Sequence, residues 1–204
     1  MTDKKEPMVF TSSFTRAAID IYISGSIDAP EQYLDELQAL REAQESDTVR
    51  IYINSVGGYV STAVQIVNAI RNCKASVTAV LEGECHSAAG YIFLACDNWE
   101  VNQGVLMLIH NYSGGAYGKG GDLVDNVRAN DKWVKSIMSV AYEGFLSKSE
   151  LDQVNLNQDI WLETEEILER LETLSTLREA QAEEQVEAMR QEAIATVKEY
   201  TNDV

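Results

Sequence analysis

A serine on a predicted sharp turn is the residue whose surroundings most clearly indicate chemistry. Ser87 follows an apolar, β-branched run that ends at Leu81 and precedes the small and apolar residues 88–96. This pattern predicts a strand, a tight turn and a helix, which together expose a hydroxyl and aim backbone amides at the group it attacks. The same pattern is typical of a helix N-cap, where serine satisfies a free amide. Ser87 is a candidate nucleophile if a base reaches it.

The histidines limit the choice of that base. The chain has two, and His86 is bonded directly to Ser87, an awkward position from which to accept its proton. His110 follows the apolar run 105–109 and is the better candidate, although a histidine at a strand end often has only a structural role. Asp159 lies among bulky apolar residues, and a buried carboxylate there would orient the imidazole and stabilise its charged form. Asp152 is the alternative.

A glycine pair supplies a third element of the predicted site. Gly57 and Gly58 separate the apolar strand pattern at 50–56 from an amphipathic helix pattern at about 60–72. Two glycines let a backbone approach a ligand closely and leave amides unobstructed at the start of a helix. The amides of Gly58 and Ala88 could therefore form an oxyanion hole.

Four motifs in this order resemble the proteolytic subunit of the Clp protease. They are Ile-Asn-Ser-x-Gly-Gly at 53–58, Gly-x-x-x-Ser-x-x-Gly at 83–90, Met-x-Ile-His at 107–110 and Asp-x-Trp-Leu at 159–162. The likeness covers about residues 10–168. It implies that Ser87 is the nucleophile, His110 the general base and Asp159 its orienting carboxylate, with the oxyanion held by Gly58 and Ala88.

The glycine-rich segment after His110 has two interpretations. Its spacing does not fit a phosphate-binding loop, because no Ser or Thr follows the lysine. The resemblance implies instead a flexible strand that pairs with an extended peptide and carries it across the site. The implied substrate-binding residues are Gly57, Ser113, Gly114, Gly115, Ala116 and Tyr117.

The chain departs from the family pattern at several positions. Val56 replaces the usual proline before the glycine pair, Ala88 the usual methionine after the serine, and Asn111-Tyr112 the usual Gln-Pro. None of these changes removes a catalytic atom. The segment before Phe10 is shorter than its family counterpart, and an acidic tail replaces the usual C-terminal sequence; both departures weaken the expectation of coupling to an ATPase.

Repeated strand-then-helix patterns predict an α/β domain with a largely parallel sheet. The resemblance specifies a Clp/crotonase-type spiral of β-β-α units, with a protruding handle (a strand and a long helix at about 122–145) and an extra C-terminal helical tail. Asp28 and Glu31, with Pro30, predict the capped start of an earlier helix whose apolar stripe includes Leu34. We divide the chain into an N-terminal segment (1–16), a peptidase-like domain (17–162) and an acidic tail (163–204).

Composition excludes some classes of partner and compartment. The net charge of −17 disfavours nucleic acid and anionic membrane, since both are polyanions. No leader-like or membrane-spanning apolar run is present, and three cysteines without framework spacing suit a reducing cytoplasm. Cys85 could be a nucleophile in principle, although a small buried hydrophobe is the better interpretation. The predicted chemistry needs no cofactor, and no ligand cluster indicates a metal.

The resemblance implies a cytoplasmic serine endopeptidase that cleaves unfolded polypeptides inside a heptameric ring. The ring could be single or stacked as a double-ring tetradecamer, and an AAA+ unfoldase is the expected partner. One alternative is an inactive regulatory or assembly subunit, and another is a related capsid-maturation peptidase. A crotonase-type hydratase or isomerase and a Ser–Lys peptidase explain Ser87, His110 and Asp159 less well.

Overall fold

The computed structural model describes the backbone of residues 16–202 and the side chains of residues 16–194. Most of the predicted N-terminal segment, residues 1–15, therefore lies outside the described residues. The elements in the described part are β1 (Ala18–Ile27), α1 (Leu34–Glu42), β2 (Thr48–Gly58), α2 (Val60–Arg71), β3 (Ser76–His86), α3 (Ala88–Ala95), β4 (Asn98–Val101), β5 (Leu106–Ile109), α4 (Gly120–Ala141), α5 (Lys148–Asn155), β6 (Ile160–Glu163) and α6 (Thr164–Asn202).

One sheet contains all these strands and confirms the α/β prediction. Its order is β1-β2-β3-β5-β6, with β4 beside β3, and every pairing is parallel except β5 with β6. The register sets Ile21 beside Ile51 and Ile51 beside Ala79, and all three are buried. Strand β3 pairs with β4 through residues 78–81 and with β5 through residues 84–86. The C-terminal ends of β3 and β5 therefore lie side by side at the same edge of the sheet.

The helix that follows Ser87 lies at the centre of the core. Helix α3 is apolar on all sides, and residues 88–94 are buried, as expected for a helix enclosed by other elements. Phe93 and Leu94 pack in the same core cluster as Ile66 of α2 and Val134 of α4. Burial therefore fixes the position of α3, and with it the turn at its N-terminus.

The acidic tail forms the predicted helix, and its first half packs on the body. Ile167, Leu171 and Leu174 are buried in the core. Arg178 donates from one guanidinium nitrogen to the Leu94 carbonyl at 2.6 Å and from the other to the Cys96 carbonyl at 3.0 Å. Both carbonyls lie at the C-terminal end of α3, where the helix has no following turn whose amides could donate to them.

The predicted capped start at Asp28 is wrong. The chain forms a 3-10 turn at Pro30–Tyr33, and its N-cap residue is Ala29, which makes no side-chain capping bond. Local side chains explain the difference. The Tyr33 hydroxyl accepts from the Asp28 amide at 3.2 Å, and Thr62 donates to the Asp28 carbonyl at 2.7 Å. These bonds fix the turn, and Leu34 is consequently 57% exposed rather than part of a buried stripe.

Helix α4 is shorter than predicted, because it ends at Ala141 and the chain turns at Gly144, where φ is +77°. The same left-handed conformation would strain most other residues. None of the helices in the described part of the chain combines the length and the apolarity needed to cross a membrane.

Candidate active site

The turn at Ser87 is strained, and its hydroxyl has no hydrogen-bond partner among the described residues. Its φ of 57° and ψ of −123° are unusual for a residue with a side chain, a conformation that costs about 1–3 kcal/mol. The Ser87 amide donates to the Leu108 carbonyl at 2.8 Å, and the Gly90 amide donates to the Ser87 carbonyl at 3.0 Å. The side chain makes no capping bond. The N-cap interpretation therefore does not explain why serine is here.

Gly57, the first residue of the glycine pair, lies close to this turn. A Cβ on Gly57 would lie 2.5 Å from the His86 carbonyl oxygen, 2.8 Å from the Ser87 Cβ and 3.1 Å from the Ala88 nitrogen. Only glycine fits there, particularly at a φ of +83°. The Ser55 hydroxyl accepts from the Gly57 amide at 3.1 Å and donates to the Gly25 carbonyl at 2.6 Å. Buried Ser55 thus fixes the backbone that faces the serine.

Strand register brings His110 and Asp159 to the same end of the sheet. Ile109 of β5 pairs with Ile160 of β6 in antiparallel register. Extending that register by one residue sets His110 opposite Asp159. The Ser87 amide is bonded to Leu108, two residues before His110. Three neighbouring strands thus present the predicted nucleophile, base and carboxylate at one edge.

The side chains of these three residues are not joined. Among the described residues no hydrogen bond links Ser87 to His110 or His110 to Asp159. His110 is half-buried, whereas Asp159 is exposed, so the expectation of a buried carboxylate is wrong. The reason is topological: Asp159 precedes a four-residue strand at the edge of the sheet. Asp152 lies within α5 and is also exposed, away from the strand pair that carries His110.

Three asparagines support the site and were not recognised from the sequence. Asn111 donates from its amide nitrogen to the Asn157 side-chain oxygen at 2.9 Å, which ties the residue after His110 to the turn before Asp159. Asn157 has a φ of +64°, a conformation that asparagine tolerates better than most residues. Asn54 accepts from the Glu84 amide at 3.0 Å where the β2–β3 register breaks. The sequence pattern that could have revealed them is an asparagine at or near the end of a predicted strand.

The predicted substrate segment lines a cleft next to the glycine pair. The cleft has a volume of about 540 Å³ and runs between that segment and helix α4. Its lining includes Gly58, Tyr59, Ser113, Gly114, Gly115, Ala116, Trp133 and Val134. Ser87 and His110 do not line it, Tyr117 is fully exposed, and no strand is formed between residues 110 and 117. The segment thus presents unpaired backbone beside the cleft.

The cysteine nearest the serine is a structural residue. Cys85 is fully buried, and burial raises the pKa of its thiol far above the ordinary value. A thiol in that state is a poor nucleophile, because the thiolate is the reactive form. Within residues 16–194, no group of three or more His, Cys, Asp or Glu side chains could hold a metal ion.

Comparisons with known proteins show what the whole sequence is similar to. The sequence model of the Clp protease family matches residues 6–194. The ATP-dependent Clp protease proteolytic subunit 3 of Rhizobium johnstonii is 29% identical over 154 residues, which is 72% of this chain and 77% of the relative. Its counterpart in Rhizobium etli is 27% identical over 150 residues, with the same coverage. The proteolytic subunit of Bacteroides thetaiotaomicron is 25% identical over 162 residues, 76% of this chain and 69% of the relative.

Proposed function

Because this chain belongs to the Clp protease family and is a serine-type peptidase, we propose that Ser87 is its nucleophile and His110 its general base. Asp159 orients the imidazole of His110. The observation that carries the proposal is the contact between Gly57 and the strained Ser87–Ala88 turn. This contact supports a role for the adjacent amides of Gly58 and Ala88 as oxyanion donors.

The reaction follows from these positions. His110 accepts the Ser87 proton as the hydroxyl oxygen attacks the peptide carbonyl, and the oxyanion receives hydrogen bonds from Gly58 and Ala88. Each such donor contributes on the order of 3 kcal/mol to transition-state stabilisation. His110 then protonates the leaving amine, and the C–N bond breaks. Water, activated by the same imidazole, hydrolyses the acyl-enzyme and regenerates Ser87.

The substrate is proposed to be an extended, unfolded polypeptide. Segment 113–117 has unpaired backbone beside the 540 Å³ cleft, which suits strand addition by a peptide. Main-chain hydrogen bonds would supply most of the affinity, so many sequences would bind. Trp133 and Val134 at the cleft wall favour an apolar side chain in it.

Membership of the family implies a self-assembled oligomer that works with Clp unfoldases. We propose a heptameric ring, single or double, with an AAA+ unfoldase as partner. Exposed apolar side chains along α4 support self-association, because Val124, Val127 and Val140 are each about half exposed in the single chain.

Labelling with a fluorophosphonate probe after size separation tests the proposal. We expect labelling of a large assembly by the wild-type protein and none by Ser87→Ala. Asp159→Asn should reduce peptide hydrolysis by about 10⁴-fold with little change in thermal stability, because the imidazole loses the carboxylate that orients it. Equal labelling of Ser87→Ala would overturn the assignment of the nucleophile.

A second candidate function is a regulatory or assembly subunit of the same fold. It is favoured by the absence, among the described residues, of hydrogen bonds between Ser87, His110 and Asp159. Assembled wild-type protein that takes up no probe, alone or with an unfoldase, would support this second candidate.

A further inference from the structure

Two rings contact each other across the sheet beside the candidate active site. The imidazole of His86 and the indole of Trp161 lie edge to face, with ring centroids 5.5 Å apart and an interplanar angle of 82°. His86 belongs to β3 and Trp161 to β6, and both pair with Leu108 of the intervening strand β5. Backbones two strands apart are separated by about 10 Å. The two rings therefore meet over Leu108.

This pair faces the same side of the sheet as the predicted base. Cys85, Met107 and Leu162 are buried on the core side, so their neighbours His86, Leu108 and Trp161 project from the opposite face. Alternation places residues two positions further on the same face, about 7 Å away along the strands. His110 and Asp159 occupy those positions. The ring pair is thus one row from the proposed base and its carboxylate.

We propose that Trp161 and His86 are positioning residues, which hold the strand that carries Asp159 in fixed alignment with the strand that carries Ser87. The inference rests on the proposed function and deepens it. Strands β3 and β6 share no backbone ladder in the sheet. Within the described residues, the His86–Trp161 contact is a direct side-chain connection between them.

The edge position of β6 explains why such a connection would matter. Strand β6 has four residues and pairs on one side with β5. Asp159 precedes it, exposed and without a hydrogen bond in the described part of the chain. A displacement of about 1 Å at a catalytic group can reduce the rate about 100-fold. Contact across β5 restricts that displacement.

His86 is suited to packing rather than to proton transfer. Its Nε2 atom is enclosed and has no hydrogen-bond partner within the part of the chain that the structure describes. In this structure Nε2 makes no hydrogen bond with the Ser87 hydroxyl and is not exposed to a substrate. The imidazole is therefore held by its contact with the Trp161 ring. Removing either ring should loosen the alignment of the strand that carries Asp159 with the strand that carries Ser87.

Steady-state hydrolysis of a short reporter peptide by Trp161→Ala, Trp161→Phe and His86→Ala tests the inference in the assembled protein. Tyr22→Ala is the matched control, because Tyr22 is also a half-exposed aromatic stacked across strands, on Tyr52 at the other end of the sheet. We expect Trp161→Ala and His86→Ala to lower kcat by about 10- to 100-fold at unchanged KM. Trp161→Phe should restore kcat to within about threefold, since a phenyl ring keeps an edge contact.

A double-mutant cycle separates positioning from simple packing. If Trp161 acts through Asp159, Trp161→Ala should have less than about a twofold effect in the Asp159→Asn background. Full additivity, or an equal loss in Tyr22→Ala, would overturn the inference while leaving the proposed function intact. If Trp161→Ala does not fold, the same cycle with His86→Ala decides. A wild-type enzyme that neither hydrolyses peptide nor labels with the probe would overturn both proposals.

Discussion

Ser87 and its glycine neighbours are held by backbone, whereas His110 and Asp159 are held by side chains at the edge of the sheet. We call these the nucleophile half (Gly57, Gly58, Ser87 and Ala88) and the base half (His110 and Asp159). In the nucleophile half, the Ser87 amide and carbonyl are both bonded, and the turn leaves no room for a Cβ on Gly57. In the base half, support comes from the Asn111–Asn157 bond and the His86–Trp161 contact.

This difference indicates where activity can be controlled. A turn buried against α3 cannot shift without disturbing the core, because interiors are closely packed. An exposed residue at the start of a short edge strand can shift at little cost. We therefore expect assembly or a partner to act on the base half and to leave the nucleophile half unchanged.

Gly57→Ala should have the largest effect on stability and activity, because it disrupts the nucleophile half. The added methyl group would collide with the His86 carbonyl and the Ser87 Cβ, neither of which can move freely. We expect a loss of several kcal/mol in the free energy of unfolding and no probe labelling. Thermal unfolding and fluorophosphonate labelling measure the two outcomes.

Gly104→Ala is the control for that substitution. Gly104 has a similar φ of +77°, but its added methyl group would meet open space. Backbone strain alone should cost about 1 kcal/mol and leave labelling unchanged. Similar unfolding temperatures for the two variants would show that the contact at Gly57 is unimportant.

Asn157→Gly should have an intermediate effect, confined to the base half. Glycine accepts the φ of +64° at this position but removes the oxygen that receives the Asn111 hydrogen bond. We expect kcat to fall about tenfold, with a small change in unfolding temperature. Asn157→Asp keeps an acceptor oxygen and should retain most activity. If the glycine and aspartate variants are equally active, the bond does not support the base half.

Acid sensitivity at Glu150 should be the smallest effect. The hydrogen bond from Arg170 lowers the pKa of Glu150 to about 2, below its ordinary value of 4.5. The same bond anchors α5, the helix that leads to Asn157. Because the folded-state pKa is the lower one, this stabilisation is present above pH 4.5 and is lost as the pH falls towards 2. Glu150→Gln should therefore unfold a few degrees below wild type at pH 7.

Measuring the difference in unfolding temperature between Glu150→Gln and wild type as a function of pH tests this prediction. Unfolding temperatures of the two proteins should converge between pH 4.5 and pH 2.5. A constant gap across this range would mean that Glu150→Gln acts by a route other than loss of the ion pair.

Local rules explain which parts of this molecule could be predicted from its sequence. The parallel strand-then-helix order and the turn at Ser87 depend on short-range patterns, and both predictions of secondary structure are confirmed. The capped start at Asp28 is wrong because Tyr33 and Thr62 use the same backbone groups. The exposure of Asp159 and the contact of His86 with Trp161 depend on strand order and register, which no local pattern encodes.

The bonds from Arg178 to α3 have a consequence for the order in which the chain is made. Arg178 lies 84 residues after Leu94, to whose carbonyl it donates a hydrogen bond. During synthesis, the ribosome therefore releases Ser87 and all of α3 long before the residue that completes the far end of that helix. N-terminal regions emerge and fold first, but this helix is completed only when α6 emerges. A nascent chain thus lacks the completed support of α3, and of the proposed nucleophile at its start, until Arg178 has been synthesised.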